Sequence, residues 1–154
     1  MVNGEGSESV RPSALTNFFT SPILLILVGG SLGTSIRYGL EAWRPAVPGE
    51  WPWATFVINL TGALILGTLL GWLSLSGPDA GWRRALRLGV GTGVMGGYTT
   101  YSTFSVETVS LLRHGAWLVG VGYALASVVA GVALAFLGLR LGGGLVRRGE
   151  GGPR

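Results

Sequence analysis

Three stretches of this chain carry no charged residue: Trp51 to Pro78, Leu88 to Val106, and Gly115 to Leu139. Each can supply the roughly 20 apolar residues that a helix needs to cross a bilayer. A fourth segment, Pro22 to Ile36, runs on through Arg37 to Trp43. Charged residues make up only 12% of the chain, about half the share of an ordinary soluble domain. The pattern predicts an all-α membrane protein with four transmembrane helices. The expected plan is a disordered N-terminal tail over residues 1–20, a four-helix transmembrane domain over 21–141, and a flexible, basic C-terminal tail over 142–154. A bundle this small is not expected to enclose a substrate path alone, so an oligomer is expected.

The third span contains the least helix-like stretch, Gly93 to Glu107. Gly93, Gly96 and Gly97 weaken helical order. Thr99, Thr100, Ser102, Thr103 and Ser105 then place five aliphatic hydroxyls within seven residues. Irregular backbone at membrane depth survives only where protein buries it or where it lines a watery cavity. This predicts a broken third helix. A candidate ion site and a kinked helix with packed Ser/Thr side chains both fit. Tyr101 and Phe104 are three apart and share a face where the backbone is helical. Aromatic rings have a positive edge, so two rings presented edge-on can tolerate an anion; core packing is the plainer alternative. Glu107 closes the run and reads as lying near an interface, paired with an Arg or a backbone N–H.

Other spans add polar points. On the second helix, read as Trp53 to Leu75, Thr55, Asn59 and Gly62 fall on one face. Asn59 is the only amide in the spans; it serves either as interhelical glue or as a donor to a permeating anion. On the fourth helix, read as Ala116 to Leu139, Tyr123 and Ser127 are four apart and form a narrow polar track with Gly131. Arg37 near the end of the first helix reads as a snorkelling cation, a positive charge at a pore mouth, or an anchor for a broken helix end. Gly29/Gly33 and Gly67/Gly71 are GxxxG pairs that allow close helix approach. Trp51 and Trp53 read as interface anchors.

In combination these motifs resemble the CrcB/Fluc family of fluoride channels, over roughly residues 25 to 140. The carrying residues are Gly29-Gly30, Gly33 and Arg37-Tyr38; Thr55, Asn59 and Gly62; Gly96 through Ser105 with Glu107; and Tyr123 with Ser127. The resemblance implies an antiparallel, dual-topology-type dimer with two fluoride pathways near the subunit interface. It implies that Asn59, Tyr101, Phe104, Tyr123 and Ser127 line the pathway, with Thr100, Ser102 and Thr103 nearby and Arg37 near the pore entrance. It also implies a structural Na⁺ at the dimer centre, held by backbone carbonyls of Gly96 and Thr99. The implied role is passive fluoride efflux across the plasma membrane, without covalent chemistry, conferring resistance to cytoplasmic fluoride. Tyr101 departs from the family, which usually has Phe there; a phenol keeps the positive ring edge and adds a hydroxyl.

All eleven basic residues are Arg. Eight of them (Arg11, Arg83, Arg84, Arg87, Arg140, Arg147, Arg148 and Arg154) fall on the side shared by the two termini, against Arg44 and Arg113 opposite. This bias predicts cytoplasmic termini. It disfavours inserting the same chain both ways, so a heterodimer with an oppositely oriented homologous subunit is expected over a homodimer. Alternatives are a non-conducting structural subunit of such a heterodimer, and a small four-helix multidrug exporter. The exporter needs a titratable carboxylate deep in the membrane, whereas Glu41 and Glu107 lie towards span ends. The basic residues at helix ends do not suggest nucleic-acid binding. The single histidine, His114, has no nucleophile or metal constellation evident around it, so no enzyme is expected.

Overall fold

The structure, a computed structural model, describes residues 21–149. It is all-α. Helix α1 spans Pro22–Trp43, α2 Trp53–Leu75, and α6 Trp117–Gly149. These three are long and apolar enough to cross a membrane. The third rod is composite: α3 (Gly81–Leu86), a π-helical segment (Arg87–Val94), α4 (Met95–Tyr98) and α5 (Tyr101–Arg113).

Pro22 opens α1 at the first helical position, where its missing N–H is no loss. The boundaries of α1 and α2 fall where the apolar pattern and flanking Pro and Trp residues place them. Helix α6 does not stop near Leu139 as expected but continues to Gly149. Gly142 explains part of this: it lies against the backbone of Thr68 and Trp72 on α2. Packing there outweighs the poor intrinsic helix propensity of glycine.

Glycines make the helix seams. A Cβ on Gly67 or Gly71 would collide with the carbonyls of Ala135 or Leu139. One on Gly138 or Gly142 would collide with those of Leu64 or Thr68. Helices α2 and α6 therefore touch backbone to backbone, with glycine on both sides of the contact. The same device joins α1 to the third rod: Gly29 faces the Gly89 carbonyl and Gly33 faces that of Val94. Both expected GxxxG pairs are thus close contacts, the form that helix packing takes in lipid.

Few large side chains are buried. Tyr123, Ile58 and Thr55 are the largest that are essentially inaccessible. Many apolar side chains on α1 and α6 are exposed, among them Val28, Leu118 and Val129. This distribution suits a lipid environment, where burial of apolar side chains supplies little driving force. Trp53 is half-exposed, as an interfacial anchor would be. Trp51 instead turns inward, its ring 5.3 Å from Phe56 and 5.6 Å from Tyr123 in edge-on contacts.

Candidate functional site: a groove at the break of the third rod

The third rod breaks at Thr99 and Thr100, which are extended at φ −78°, ψ 156° and φ −144°, ψ 121°. Thr99 ends α4, its N–H and its hydroxyl both donating to the Met95 carbonyl at 3.0 and 2.9 Å. Thr100 begins α5 as its N-cap, the Oγ1 accepting the Thr103 N–H at 3.1 Å. Threonine suits that position because its hydroxyl satisfies an orphan amide of the first turn.

Asn59 on α2 holds the gap open. Its Oδ1 accepts the Thr100 N–H at 2.8 Å, and its Nδ2 donates to the Thr100 carbonyl at 3.0 Å. The amide thus pairs with one residue's backbone as a strand neighbour would. In an unbroken helix the Thr100 N–H would serve the carbonyl of Gly96. Asn59 takes that donor, so the Gly96 carbonyl is released; Gly96 is also exposed. On the far side of the break, Arg37 Nε donates to the Gly97 carbonyl at 3.1 Å, and Arg37 Nη1 is held by Glu41 at 3.3 Å. Of the readings open for Arg37, the one as anchor of a broken helix end matches these contacts.

Thr55, Asn59 and Gly62 do share a face of α2, and all three meet the third rod. Gly62 lies against the Thr99 methyl and the Tyr98 ring. Thr55 donates to Glu107 Oε1 at 2.8 Å, and the Tyr123 hydroxyl donates to Glu107 Oε2 at 2.8 Å. Glu107 is therefore bonded to two hydroxyls, not to the Arg or backbone N–H that the sequence suggested. Thr55 lies within the first turn of α2, so Glu107 sits at the level of that helix end.

A groove of ≈ 400 Å³ runs along the break. Asn59 and Gly62 of α2, Thr99 to Tyr101 and Phe104 of the third rod, and Ser127 of α6 line it. The Tyr101 and Phe104 rings are 6.1 Å apart, and Phe104 is 5.3 Å from the Tyr123 ring. Tyr101 is 81% exposed, so the groove is open on its side. The Ser127 Oγ is buried with no hydrogen-bond partner among the described residues. Ser102 and Thr103 lie beside the groove, both hydrogen-bonded to the Thr100 hydroxyl at 3.1 Å. Tyr123 is fully buried beneath Phe104, and Arg37 is outside the groove on the α1 flank.

These elements coincide with a family match. A family model described as CrcB-like protein, camphor resistance (CrcB), matches residues 24–139. The chain belongs to the CrcB family. The CrcB match reaches into all four rods and includes every groove residue. The resemblance read from the motifs thus holds at the level of the family. Fluoride-specific ion channel FluC 1 of Cutibacterium acnes is 49% identical over 119 residues, covering 75% of this chain and 82% of that protein. Fluoride-specific ion channel FluC 2 of Leifsonia xyli is 47% identical over 142 residues, covering 92% and 97%. Fluoride-specific ion channel FluC of Thermus thermophilus is 44% identical over 124 residues, covering 80% and 94%. This CrcB-family chain is accordingly a multi-pass membrane protein.

Two features of the site escaped the sequence reading. One is the use of both ends of the Asn59 amide by a single backbone residue. The other is the Thr55–Glu107–Tyr123 set. Antiparallel arithmetic points to it: four residues back from Asn59 is about 6 Å, seven forward from Thr100 about 10 Å, and the Glu107 side chain spans the difference.

Proposed function

We propose that this chain is a subunit of a fluoride-selective channel that lets fluoride leave the cytoplasm passively. The family match across all four spans, to relatives named as fluoride-specific channels, carries this reading. The groove offers what a small, strongly hydrated anion needs. The Ser127 hydroxyl is free to donate, Asn59 has a second amide N–H, and Phe104 and Tyr101 present ring edges. Thr100 is part of the wall, while Ser102, Thr103 and Tyr123 support it from behind. Arg37 acts on the pathway by holding the break.

The open side of the groove, with Tyr101 exposed, is where a second homologous subunit closes the pathway in antiparallel orientation. The arginine bias favours a heterodimer over a homodimer. Gly96 and Thr99 suit a structural Na⁺ at the dimer centre. The Gly96 carbonyl is released by Asn59, Gly96 is exposed, and carbonyl oxygens are the donors a hard cation takes. Such an ion would tie two breaks together as a fixed charge.

The test is fluoride efflux from liposomes containing this chain alone, read with a fluoride electrode and with chloride as control. Fast, fluoride-selective efflux is expected if the chain forms its own dimer, and it would refute the preference for a heterodimer. No efflux from verified, folded protein, followed by efflux on co-reconstitution with a homologous subunit of opposite charge bias, would support the heterodimer. The phenol at Tyr101 favours a second reading, in which this chain is a non-conducting partner. In that case substitutions at Phe104 leave flux through the mixed dimer unchanged.

A further inference from the structure

A group of cations lies outside the groove, where α2 turns into the third rod. Arg83, Arg84 and Arg87 fall together just after the turn. Arg87 is engaged, its Nη2 donating to Asp79 Oδ2 at 2.7 Å and its Nε to both carboxylate oxygens at 3.1 Å. Arg83 is not. Its Nε is buried and has no acceptor among the described residues. Its guanidinium lies over Gly77, where a Cβ would collide with it and where φ is +120°. The chain therefore leaves room for this side chain at a position only glycine occupies without strain. The guanidinium carbon is 5.4 Å from the centre of the Trp82 ring. A desolvated donor with no acceptor is unfavourable, and a cationic one more so.

Arg83 lines a cavity of ≈ 440 Å³ together with Leu70, Leu73, Ser74 and Leu139. Asp79 also lines it, but its charge is matched by Arg87. An adjoining cavity shares Ser74 and Leu139 and carries Arg140. Cationic groups and apolar walls thus meet at the end of α2, a helix long and apolar enough to cross a membrane.

We propose that this corner binds an anionic phospholipid, with Arg83 taking the phosphate and Leu70, Leu73 and Leu139 taking the start of an acyl chain. A guanidinium fork matches two phosphate oxygens. Free phosphate would satisfy the fork but leave the leucine walls unused. A zwitterionic lipid would bring a second cation among the arginines. Basic pockets between transmembrane helices are recurrent sites for anionic headgroups.

The test is native mass spectrometry of the purified full chain with phosphatidylglycerol, phosphatidylcholine or inorganic phosphate. Wild type and Arg84→Gln are expected to retain phosphatidylglycerol in preference to phosphatidylcholine. Arg83→Gln is expected to bind it about tenfold more weakly, the effect of one lost charge-assisted hydrogen bond, with Arg83→Lys in between. Equal retention by wild type and Arg83→Gln overturns the assignment to Arg83. Lack of discrimination between the two lipids by wild type overturns the proposal without any variant. Displacement of the lipid by millimolar inorganic phosphate overturns the role given to the leucine walls.

Discussion

Asn59 clamps the Thr100 backbone and is proposed to donate to fluoride, and one substitution series separates the two roles. Asn59→Ala removes both hydrogen bonds to Thr100, whose side chain and backbone are 92% hidden from solvent by an exposure of 8%. Interhelical hydrogen bonds in membranes average about 0.6 kcal/mol each, so the pair alone sets a floor near ~1 kcal/mol. Stranding the Thr100 N–H and carbonyl adds desolvation of about 1–3 kcal/mol per group where water does not reach. Because the groove admits some water, an intermediate loss of about 2 kcal/mol is expected, roughly a thirtyfold change in the unfolding equilibrium. The assay is unfolding in mixed detergent micelles followed by tryptophan fluorescence. Asn59→Asp keeps an acceptor for the Thr100 N–H but turns its second oxygen on the Thr100 carbonyl, so it should lose at least as much stability, and it places a carboxylate on the groove wall. Its fluoride flux should therefore fall further than that of Asn59→Ala when both are compared at equal folded fraction. A loss under about 0.5 kcal/mol for Asn59→Ala would refute the clamp. Wild-type flux in Asn59→Ala at equal folded fraction would refute the donor role.

Three other outcomes follow from the structure. Gly138→Leu forces a side chain into the Leu64 carbonyl; overpacking of this kind costs about 1–3 kcal/mol or more, so a lower melting temperature is expected, while Gly144→Leu, which meets nothing nearby, should be tolerated. Phe104→Ile removes the ring edge beside Ser127 and should lower fluoride efflux with little change in the amount of folded protein, measured by electrode and by size-exclusion chromatography. The Arg87 hydrogen bond holds the Asp79 carboxyl below its ordinary value of 3.8. A depressed folded-state value stabilises at pH above the unfolded one and is lost as pH falls through the folded one. The difference in melting temperature between wild type and Asp79→Asn should therefore be flat above about pH 5 and shrink below the ordinary value.

Span-scale features were legible because they rest on composition and local spacing. The ends of α2 follow from Trp53 and the Ser76-Gly77-Pro78 turn, and the Gly29/Gly33 contact from its spacing. The break was legible as a region but not as a position. Gly96 and Gly97 are the weak helix formers, yet they remain helical, and the chain opens at Thr99 and Thr100. The reason is Asn59, forty-one residues earlier, which captures the Thr100 backbone; no local pattern carries that contact. Glu107 shows the same limit, since its two partners come from α2 and α6. The length of α6 was under-read because Gly142 to Gly144 resemble a tail. Only the backbone of α2 beside Gly142 makes helix the better state there.

The glycine seam between α2 and α6 also determines which parts can move. Where two helices meet through their backbones, no flexible side chain lies between them to take up a displacement. They behave as one stiff body. Asn59 and Ser127 stand on that body, on opposite walls of the groove, and so keep a fixed spacing. The remaining wall, Thr99 to Phe104, belongs to the third rod and is tied to the rigid pair through Asn59 and Glu107. A change in the groove's width would therefore fall to α5, beyond the break at Thr99–Thr100, rather than to the α2–α6 pair.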